Sequence, residues 1–388
     1  MPRLLLYLED APVDNTTAAG LSKALIPVIG ALNDQSVMVV CQTHEFHKRH
    51  FLSIPFERSK HIFVGNVVSS IIKSARKFPL AIAVKLCVLH SLYLSLLIYL
   101  RFGTSIAGAR MLAPIGTDIM GFVRAYWICK FLHLKFEPYF VDDLEAHPSN
   151  RNQINEIRSI LRWNKLNIQI CYAITDGLAQ EFYNRYQLKC KTLPLIVPDT
   201  RTPEISAGSE VNGTYIFYLG SINHLYAKGI RELIKCVEQL RSATGIDVKI
   251  YLASCPLQFS RFIDSKPDFV TVKKLPSDTQ VEGYVREANV CYMPYSFNPK
   301  DRQMVQSSFP SKLLQYLNNA KNIIVCAPEY STAYRLFEEQ RIGSVCTEET
   351  LYETLLHIIK NSDDQSLGYQ ATIKLRYSKR TLLRILGL

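Results

Sequence analysis

The sequence contains no pair of closely spaced cysteines. Its ten cysteines are spread from Cys41 to Cys346, and none belongs to a C-x-x-C motif. Structural zinc sites and disulfide-rich secreted folds both depend on clustered cysteines, so neither is expected here. Scattered single cysteines are typical of reduced thiols in the core of a cytosolic protein. We therefore expect no metal and a cytoplasmic location.

Acidic residues are the minority among the charged residues. The chain has 34 Asp and Glu against 45 Lys and Arg, which gives a net charge of +11. Such a surplus favours an anionic partner, such as nucleic acid, an acidic membrane surface or a phosphorylated substrate. No tract dense in Lys and Arg and interleaved with aromatic residues is present, so nucleic acid is not expected. Short internal repeats and low-complexity segments are also lacking.

A secretory signal is not expected at the N-terminus, because its apolar run is short and acidic residues follow at once. One apolar run, residues 79–100, is long enough to span a bilayer. However, Lys85 and His90 lie inside it, where charge is unfavourable. A span would also separate strand-like segments that belong to one sheet. We therefore expect a helix that is buried or lies in the membrane interface beside the basic segment 73–77, and an integral membrane protein is the alternative.

The pattern that is present is an alternation of strand-like and helix-like segments. With 388 residues, 48% of them hydrophobic, the chain is expected to form about two domains with large cores. Apolar β-branched runs alternate with helical stripes, which indicates βαβ units and parallel sheets. In the first half we expect strands near 3–8, 36–42, 61–66, 138–142 and 169–174, with 194–197 closing that half.

A change in composition suggests where the domains meet. Residues 198–213 are rich in Pro, Gly, Ser and acids and have no periodicity, which predicts a linker. We expect a first domain over 1–200, a second over 201–365 and a basic C-terminal helix over 366–388 that packs back toward the first domain. The predicted fold class is α/β, with two Rossmann-like domains facing each other across a cleft. Ligands bind beyond the carboxyl ends of such strands, so the cleft is the expected site.

The segment "SSFPSKLLQYL" predicts an anion site at the start of a helix. Pro310 is suited to a first helical turn, because its missing N–H is not needed there. The free amides, the helix dipole and the ammonium group of Lys312 together favour an anion. An ordinary capped helix with a solvated lysine is the alternative.

The segment "LGSINHLYAKG" predicts a second cation near the same place. Gly220 ends a strand and allows a sharp turn, and Lys228 then opens the next helix. Because both lysines follow strands of one sheet, Lys228 and Lys312 are expected to reach the same cleft. Taken alone, a solvated Lys228 is again the alternative.

The order and spacing of these segments resemble the retaining family-four glycosyltransferases, which have the GT-B fold. "YIFYLGSINHLYAKG" is similar to their Gly-Arg-Leu and Lys-Gly segment, and "SSFPSKLLQYL" to their Pro-Ser-Lys-Leu-x-Glu-Tyr segment. The strand ending in "MPYS" and the stretch "ITDGLAQEFYNRY" also match in position. The resemblance covers roughly 165–345 well and 1–150 only in outline.

This resemblance implies an enzyme of the hexosyltransferase type. It would move a sugar from a nucleotide-diphosphate-sugar donor to a lipid-linked or glycan acceptor, with retention of configuration and without a metal or other cofactor. It also implies a role in surface polysaccharide or glycoconjugate synthesis. With the basic surface and the apolar helix, we expect peripheral attachment to the cytosolic face of a membrane.

The resemblance also implies roles for individual residues. Lys228 would contact the donor diphosphate and act in catalysis. Ser221 stands where the family has an arginine, and Ser307 and Gln315 stand where it has two glutamates. Arg302 is a candidate for the missing cation. The expected donor-binding residues are Gly220, Ser221, Lys228, Tyr295, Ser307, Ser308, Phe309, Pro310, Ser311, Lys312, Leu313 and Gln315.

Acceptor residues are expected in the first half. In "PYFVDDLEAHP", Asp142 and Asp143 fall on a His-Asp or Arg-Asp pair of the family, with Glu145 and His147 close by. The carboxylate of Asp143 is expected to accept a hydrogen bond from the acceptor hydroxyl as a catalytic residue. A polar turn that caps the next helix is the alternative.

Two further loops have open interpretations. In "DAPVDNTTAAG", Thr17 and Gly20 are expected to let the acceptor approach the backbone, and N-capping by Thr17 is the alternative. His44, His47 and His50 recur every three residues, and we expect a surface loop near acceptor or lipid phosphate. Metal binding by these histidines is less favoured.

The absence of the two family glutamates leaves two other functions open. One is a non-catalytic GT-B partner subunit that binds the nucleotide-sugar without transferring it. The other is a GT-B-fold sugar-nucleotide epimerase, which uses the same diphosphate site.

Overall fold

The computed structural model divides the chain into two compact units. One comprises Met1–Leu195 with Leu382–Leu388, and the other comprises Ile196–Thr381. The residues that the structure describes are 4–8, 27–28, 30–32, 38–42, 61–64, 80–116, 119–146, 154–164, 168–197, 213–274, 278–361 and 364–388.

The first unit is built on a seven-stranded parallel sheet in the order β3-β2-β1-β4-β5-β6-β7. Its strands are β1 (Leu4–Leu8), β2 (Met38–Gln42), β3 (His61–Val64), β4 (Arg110–Ile115), β5 (Lys135–Phe140), β6 (Cys171–Ala173) and β7 (Cys190–Thr192). Its helices are α1 (Leu80–Phe102), α2 (Ile119–Leu132), α3 (Ile154–Asn164) and α4 (Asp176–Tyr186). Crossover helices are what parallel neighbours require.

The second unit is built on a six-stranded parallel sheet in the order β10-β9-β8-β11-β12-β13. Its strands are β8 (Thr214–Leu219), β9 (Val248–Ala253), β10 (Val270–Val272), β11 (Val290–Pro294), β12 (Ile323–Cys326) and β13 (Ser344–Cys346). Its helices are α5 (Ala227–Thr244), α6 (Pro256–Phe262), α7 (Asp278–Glu287), α8 (Arg302–Ser307), α9 (Lys312–Asn319), α10 (Thr332–Gln340), α11 (Leu351–Asn361) and α12 (Ser366–Arg376), and α13 (Lys379–Leu386) runs across the boundary between the units.

The strand order of the second unit determines where a ligand can bind. From β8 the chain passes outward to β9 and β10, and it then returns to β11 on the other side of β8. The loops after β8 and β11 therefore leave the sheet on opposite faces and open a crevice at its carboxyl edge. Residues of this unit that were predicted to bind the donor follow these two strands.

Three strands were not predicted: β4, β7 and β13. β4 lies between β1 and β5 in the middle of the first sheet, although Pro114 is one of its residues. A proline has no N–H for the strand ladder, and local rules therefore disfavour it in a central strand. The strand expected at 194–197 was also wrong: the last strand of this sheet is β7, and the backbone after it continues without strand pairing as far as Val197.

Candidate functional site

The turn that follows β8 brings a lysine close to the backbone. Gly220 has a φ of +125°, a conformation that favours glycine, and its amide donates to the Ala253 carbonyl at 3.1 Å. Tyr218 Oη donates to the Ser221 carbonyl at 2.7 Å and holds the next residue of the turn. A Cβ atom at position 220 would lie 3.3 Å from Lys312 Nζ. The glycine therefore leaves room for that ammonium group.

The ammonium group of Lys312 lies between two tyrosine rings. Nζ is 4.3 Å from the ring centroid of Tyr218 and 4.4 Å from that of Tyr226, and it donates to Tyr218 Oη at 3.3 Å. Among the described residues, no carboxylate lies within ion-pair distance of this nitrogen. Burial lowers the pKa of Lys312 to about 7, because desolvation disfavours the charged form. An anion that reaches this lysine would restore the charge.

The helix that begins with Lys312 is held against the end of β8. The Leu219 amide donates to Tyr316 Oη at 2.7 Å, which ties α9 to the strand. The Ser311 side chain makes no capping bond to the helix start. Downstream, the Leu313 amide donates to the Pro310 carbonyl at 2.8 Å in a tight turn. The first turn of α9 thus presents a helix N-terminus and a lysine at the same place, which is the geometry of an anion site.

Lys228 lies in the first turn of α5, where the neighbouring Gly229 allows the helix to begin close to another strand. A Cβ atom at position 229 would overlap the side chain of Pro294, the last residue of β11. The glycine therefore lets the first turn of α5 pack closely on the strand end. The exposed Lys228 Nζ lies 2.5 Å from Glu348 Oε2, in the loop after β13. Its hydrogen bond to Glu348 raises the pKa of Lys228, so this lysine stays charged.

Several predicted donor-binding residues are buried near the starts of α5 and α9 and have partners within the protein. Ser307 is the last residue of α8, where its buried hydroxyl donates to the Gln303 carbonyl at 2.8 Å. Leu313 and Tyr295 are buried, and the ring of Tyr295 lies 6.1 Å from that of Tyr226. The geometry does not favour direct contact between these side chains and the donor, because each is already buried in the core or hydrogen-bonded within its own helix.

The remaining predicted residues have less specific surroundings. The Ser308 amide donates to the Met304 carbonyl at 2.9 Å, and the Phe309 ring lies 5.8 Å from that of Tyr377. The Gln315 side chain is half-buried on α9. Arg302 is exposed and stacks over the ring of Tyr330 at 4.8 Å, so no contact places it beside Lys228 or Lys312.

Three residues of the site were missed in the sequence. Tyr218 and Tyr226 enclose Lys312, and Glu348 pairs with Lys228. The tyrosines stand two residues before Gly220 and two before Lys228, so proximity to the motif was an available signal. Glu348 is 120 positions from Lys228 and had none.

The predicted acceptor residue Asp143 lies in an ion-pair network. Its carboxylate accepts from Arg185 Nη1 at 3.0 Å and Nη2 at 2.6 Å, and from the Glu145 amide at 3.1 Å. Glu145 in turn accepts from Arg158 at 3.0 and 2.8 Å and from the Tyr186 hydroxyl. Burial alone would raise the pKa of Glu145, but these hydrogen bonds lower it.

This arrangement favours a structural role for Asp143 rather than the predicted contact with an acceptor hydroxyl. Its side chain is 1% exposed, and both of its oxygens are occupied by Arg185. The alternative interpretation, a polar turn that caps the next helix, is right about the turn, because the Asp143 amide donates to Asp142 Oδ1 at 2.9 Å. The capping is not seen in the described part of the chain, since the next helix, α3, begins only at Ile154.

We expect Asp143→Ala to destabilise the first unit by about 3 kcal/mol, because it would remove two charge-assisted hydrogen bonds from Arg185 and leave that cation only its longer contacts to Glu181 and Glu145. Thermal unfolding would show the loss. Asp142→Ala is the control, since it removes one hydrogen bond from a half-buried side chain. A large fall in turnover of the Asp143 variant with unchanged unfolding would instead support the catalytic role.

Some predicted residues lie outside the described part of the chain. These are Thr17, Gly20, His44, His47, His50, the segment 73–77, His147 and most of the predicted linker at 198–213. Among the residues that the structure does describe, no group of three or more His, Cys, Asp or Glu side chains could hold a metal ion.

The fold and the crevice at the switch point of the second sheet define a class of protein. Two parallel α/β sheets of the Rossmann type, each with crossover helices, constitute the GT-B fold, and the chain has that fold. No protein-family profile matches the sequence, and no curated protein matches it.

Solved structures similar to the chain confirm the fold at low sequence identity. A trehalose-6-phosphate synthase from E. coli bound with UDP-2-fluoro glucose is 9% identical, with a TM-score of 0.59 over 99% of this chain and 98% of that chain. The lipopolysaccharide outer core galactosyltransferase WaaB is 10% identical, with a TM-score of 0.61 over 99% and 98%. A provisionally assigned UDP-N-acetylglucosamine 2-epimerase from Listeria monocytogenes is 9% identical, with a TM-score of 0.53 over 100% and 95%.

Proposed function

We propose that the protein is a glycosyltransferase that uses a nucleotide-diphosphate-sugar donor, a UDP-sugar in the first instance. The observation that carries the proposal is the lysine-bearing helix start at the switch point. Lys312 is enclosed by two tyrosine rings without an acidic partner among the described residues, beside a glycine turn that a diphosphate can approach. The similarity to a synthase bound with a UDP-sugar analogue and to a galactosyltransferase supports this donor class.

In the proposed mechanism, the second unit stabilises the leaving diphosphate. Cleavage of the sugar–phosphate bond leaves negative charge on the diphosphate, and fixed donors that need no reorganisation stabilise it best. The α9 amides and Lys312 would contact one part of the diphosphate. Lys228 would exchange its ion pair with Glu348 for a contact with another part of the diphosphate, since its side chain is exposed to solvent. Gln315, in the second turn of α9, would hydrogen-bond the ribose.

The finer parts of the proposal follow from the sequence resemblance. We propose transfer of a hexosyl group with retention, in which the acceptor hydroxyl attacks on the leaving-group face without a metal. The acceptor would be a lipid-linked or glycan hydroxyl, in surface polysaccharide or glycoconjugate synthesis. The enzyme would work at the cytosolic face of a membrane.

A second candidate is a partner subunit that binds the nucleotide-sugar without transferring it. The observation that favours it is the replacement of both family glutamates, by Ser307 and Gln315, with the Ser307 hydroxyl turned into its own helix. An epimerase, like the Listeria neighbour, would use the same diphosphate site.

The test is a thermal-shift series across UDP-sugars, GDP-sugars and the free nucleotides. At a ligand concentration of 100 Kd, binding should stabilise the folded protein by about 2.7 kcal/mol, which raises the melting temperature. Lys312→Met should abolish the shift, and Lys235→Met, on the exposed side of α5, should keep it. No shift with any nucleotide-sugar would contradict the proposal. A shift without sugar transfer to lipid or glycan acceptors would favour the partner subunit, and a change of the bound sugar to its epimer would favour the epimerase.

A further inference from the structure

One stretch of the first unit contains no acidic residue at all. Residues 58–117 include eight Lys or Arg and not a single Asp or Glu. Because no acidic residue offsets them, this stretch carries eight of the net +11 charges of the chain. The long helix α1 lies within it, and its two exposed cations, Lys85 and Arg101, stand toward opposite ends of the helix.

One side of α1 packs against α2. The Ser91 hydroxyl donates to the Cys87 carbonyl at 2.7 Å and is also 3.2 Å from the Arg124 carbonyl. Arg124 Nη1 donates to Cys87 Sγ at 3.4 Å. Ala83, Leu94 and Ile98 are also buried on this side. The helix is therefore a packed element of the first unit.

The other side of α1, which we call the outward face, is apolar and exposed. It consists of seven large side chains that are between 45% and 71% exposed. These are Ile82, Leu89, Leu92, Tyr93, Leu96, Tyr99 and Leu100. A contiguous apolar surface of this kind on a soluble protein normally marks a contact site.

α1 buries several polar side chains and exposes large apolar ones, which is unfavourable for a helix face in water. Ser91, Ser95 and His90 are buried, each at most 4% exposed, while four leucines of the same helix are exposed on the outward face. Burial lowers the pKa of His90 to about 4, so this side chain is neutral inside the protein. A helix that turns its small polar groups inward and its leucines outward suits an apolar surrounding on its outer side.

The topology opposes a membrane span. By length and composition the segment Ile82–Phe102 is able to cross a bilayer. However, α1 is the connection between β3 and β4, and both strands belong to one parallel sheet. A spanning helix would place these strands on opposite sides of the membrane. The helix is about 35 Å long at 1.5 Å per residue, and it is able to lie along a bilayer surface over that whole length.

We propose that the outward face of α1 inserts into the surface of an anionic bilayer, with the helix axis parallel to the membrane. The leucines and tyrosines would enter the acyl boundary, and the exposed Lys85 and Arg101 of the same helix would contact the phosphate headgroups. A second copy of the chain is the less suitable occupant, because it would bring an equally basic surface against this one. The membrane would be the partner of the membrane-face enzyme proposed above. The reason for such binding rests on that proposed function, whereas the flotation experiment tests the binding independently of it.

The experiment is flotation of the full chain with two kinds of vesicle, phosphatidylcholine alone and phosphatidylcholine with phosphatidylglycerol. The protein should float with the anionic vesicles at low salt, and raised salt should weaken the binding. The triple variant Leu89→Ser, Leu92→Ser, Leu96→Ser should bind at least tenfold more weakly. The matched control is Leu257→Ser, Leu367→Ser, Leu375→Ser, which removes three leucines of the second unit that are more than half exposed and should float as the original protein does.

Each outcome decides the proposal. Absence of flotation, equal binding to neutral vesicles, or equal binding by both triple variants would overturn it. So would a dimer in solution that the α1 variant alone dissociates. The UDP-sugar thermal shift is measured on the same proteins. If that shift persists while flotation fails, the membrane inference fails and the donor site stands; if flotation succeeds without any shift, the reverse holds.

Discussion

Lys228→Ala is expected to slow sugar transfer by about a hundredfold or more. Removing one fixed donor from a site that stabilises a developing anion costs on the order of 3 kcal/mol of transition-state energy. The structure places Lys228 at the first turn of α5, charged and exposed, with Glu348 as its ion-pair partner. The effect should fall on kcat more than on KM, because the charge on the leaving diphosphate is greatest in the transition state.

Two variants control this prediction. Lys235→Ala removes another exposed lysine of α5, which lies further along the helix than Lys228, and should leave turnover unchanged. Glu348→Gln keeps a hydrogen-bond acceptor for Lys228 but removes the ion pair, so it should not reproduce the loss. Turnover of Lys228→Ala that equals that of the unmodified enzyme would contradict the role of Lys228 as a ligand of the diphosphate.

Donor affinity is expected to fall as the pH rises above 7. In the free protein the pKa of Lys312 is about 7, so the ammonium form is the major form at pH 6 and the minor form at pH 8. A bound diphosphate favours the charged form, so the pKa of Lys312 rises in the complex and binding takes up a proton above pH 7. The affinity for a UDP-sugar should therefore be about tenfold weaker at pH 8 than at pH 6.

Calorimetry checks this prediction directly. The binding heat at pH 8 is measured in two buffers with different ionisation enthalpies. The difference between the two heats should correspond to the uptake of close to one proton per site. Lys312→Arg should make the pH profile flat, because a guanidinium stays charged throughout this range. A flat profile for the unmodified protein between pH 6 and 8 would show that the Lys312 side chain does not titrate on binding.

The two α/β units could be predicted from the sequence because alternating apolar runs and helical stripes are local signals. The strands near 3–8, 36–42 and 61–66 appear as β1, β2 and β3, within a few residues at each end. β4 could not be predicted in the same way. Its proline opposes a central strand by local rules, and pairing with β1 and β5 on both sides overrides that preference.

The surroundings of the proposed anion site were predictable only in part. The "SSFPSK" start and the Gly220 turn are local features, and their backbone geometry follows from glycine and proline. The enclosure of Lys312 by Tyr218 and Tyr226 depends on residues 94 and 86 positions away, so their place beside the Gly220 and Lys228 motif was the one local signal for it. Asp143 shows the opposite case: its motif predicted an acceptor contact, and Arg185, brought next to it by the fold, occupies the carboxylate.

By itself, the sequence determined the fold class, the basic character and the two lysines that begin α5 and α9, because composition, periodicity and helix starts depend on neighbouring residues. Only the tertiary structure decided which charged groups are paired and which are enclosed by aromatic rings. It also decided that α1 turns its serines inward and its leucines outward. Ion pairing and burial depend on what other segments supply, and that is set when distant parts of the chain pack together.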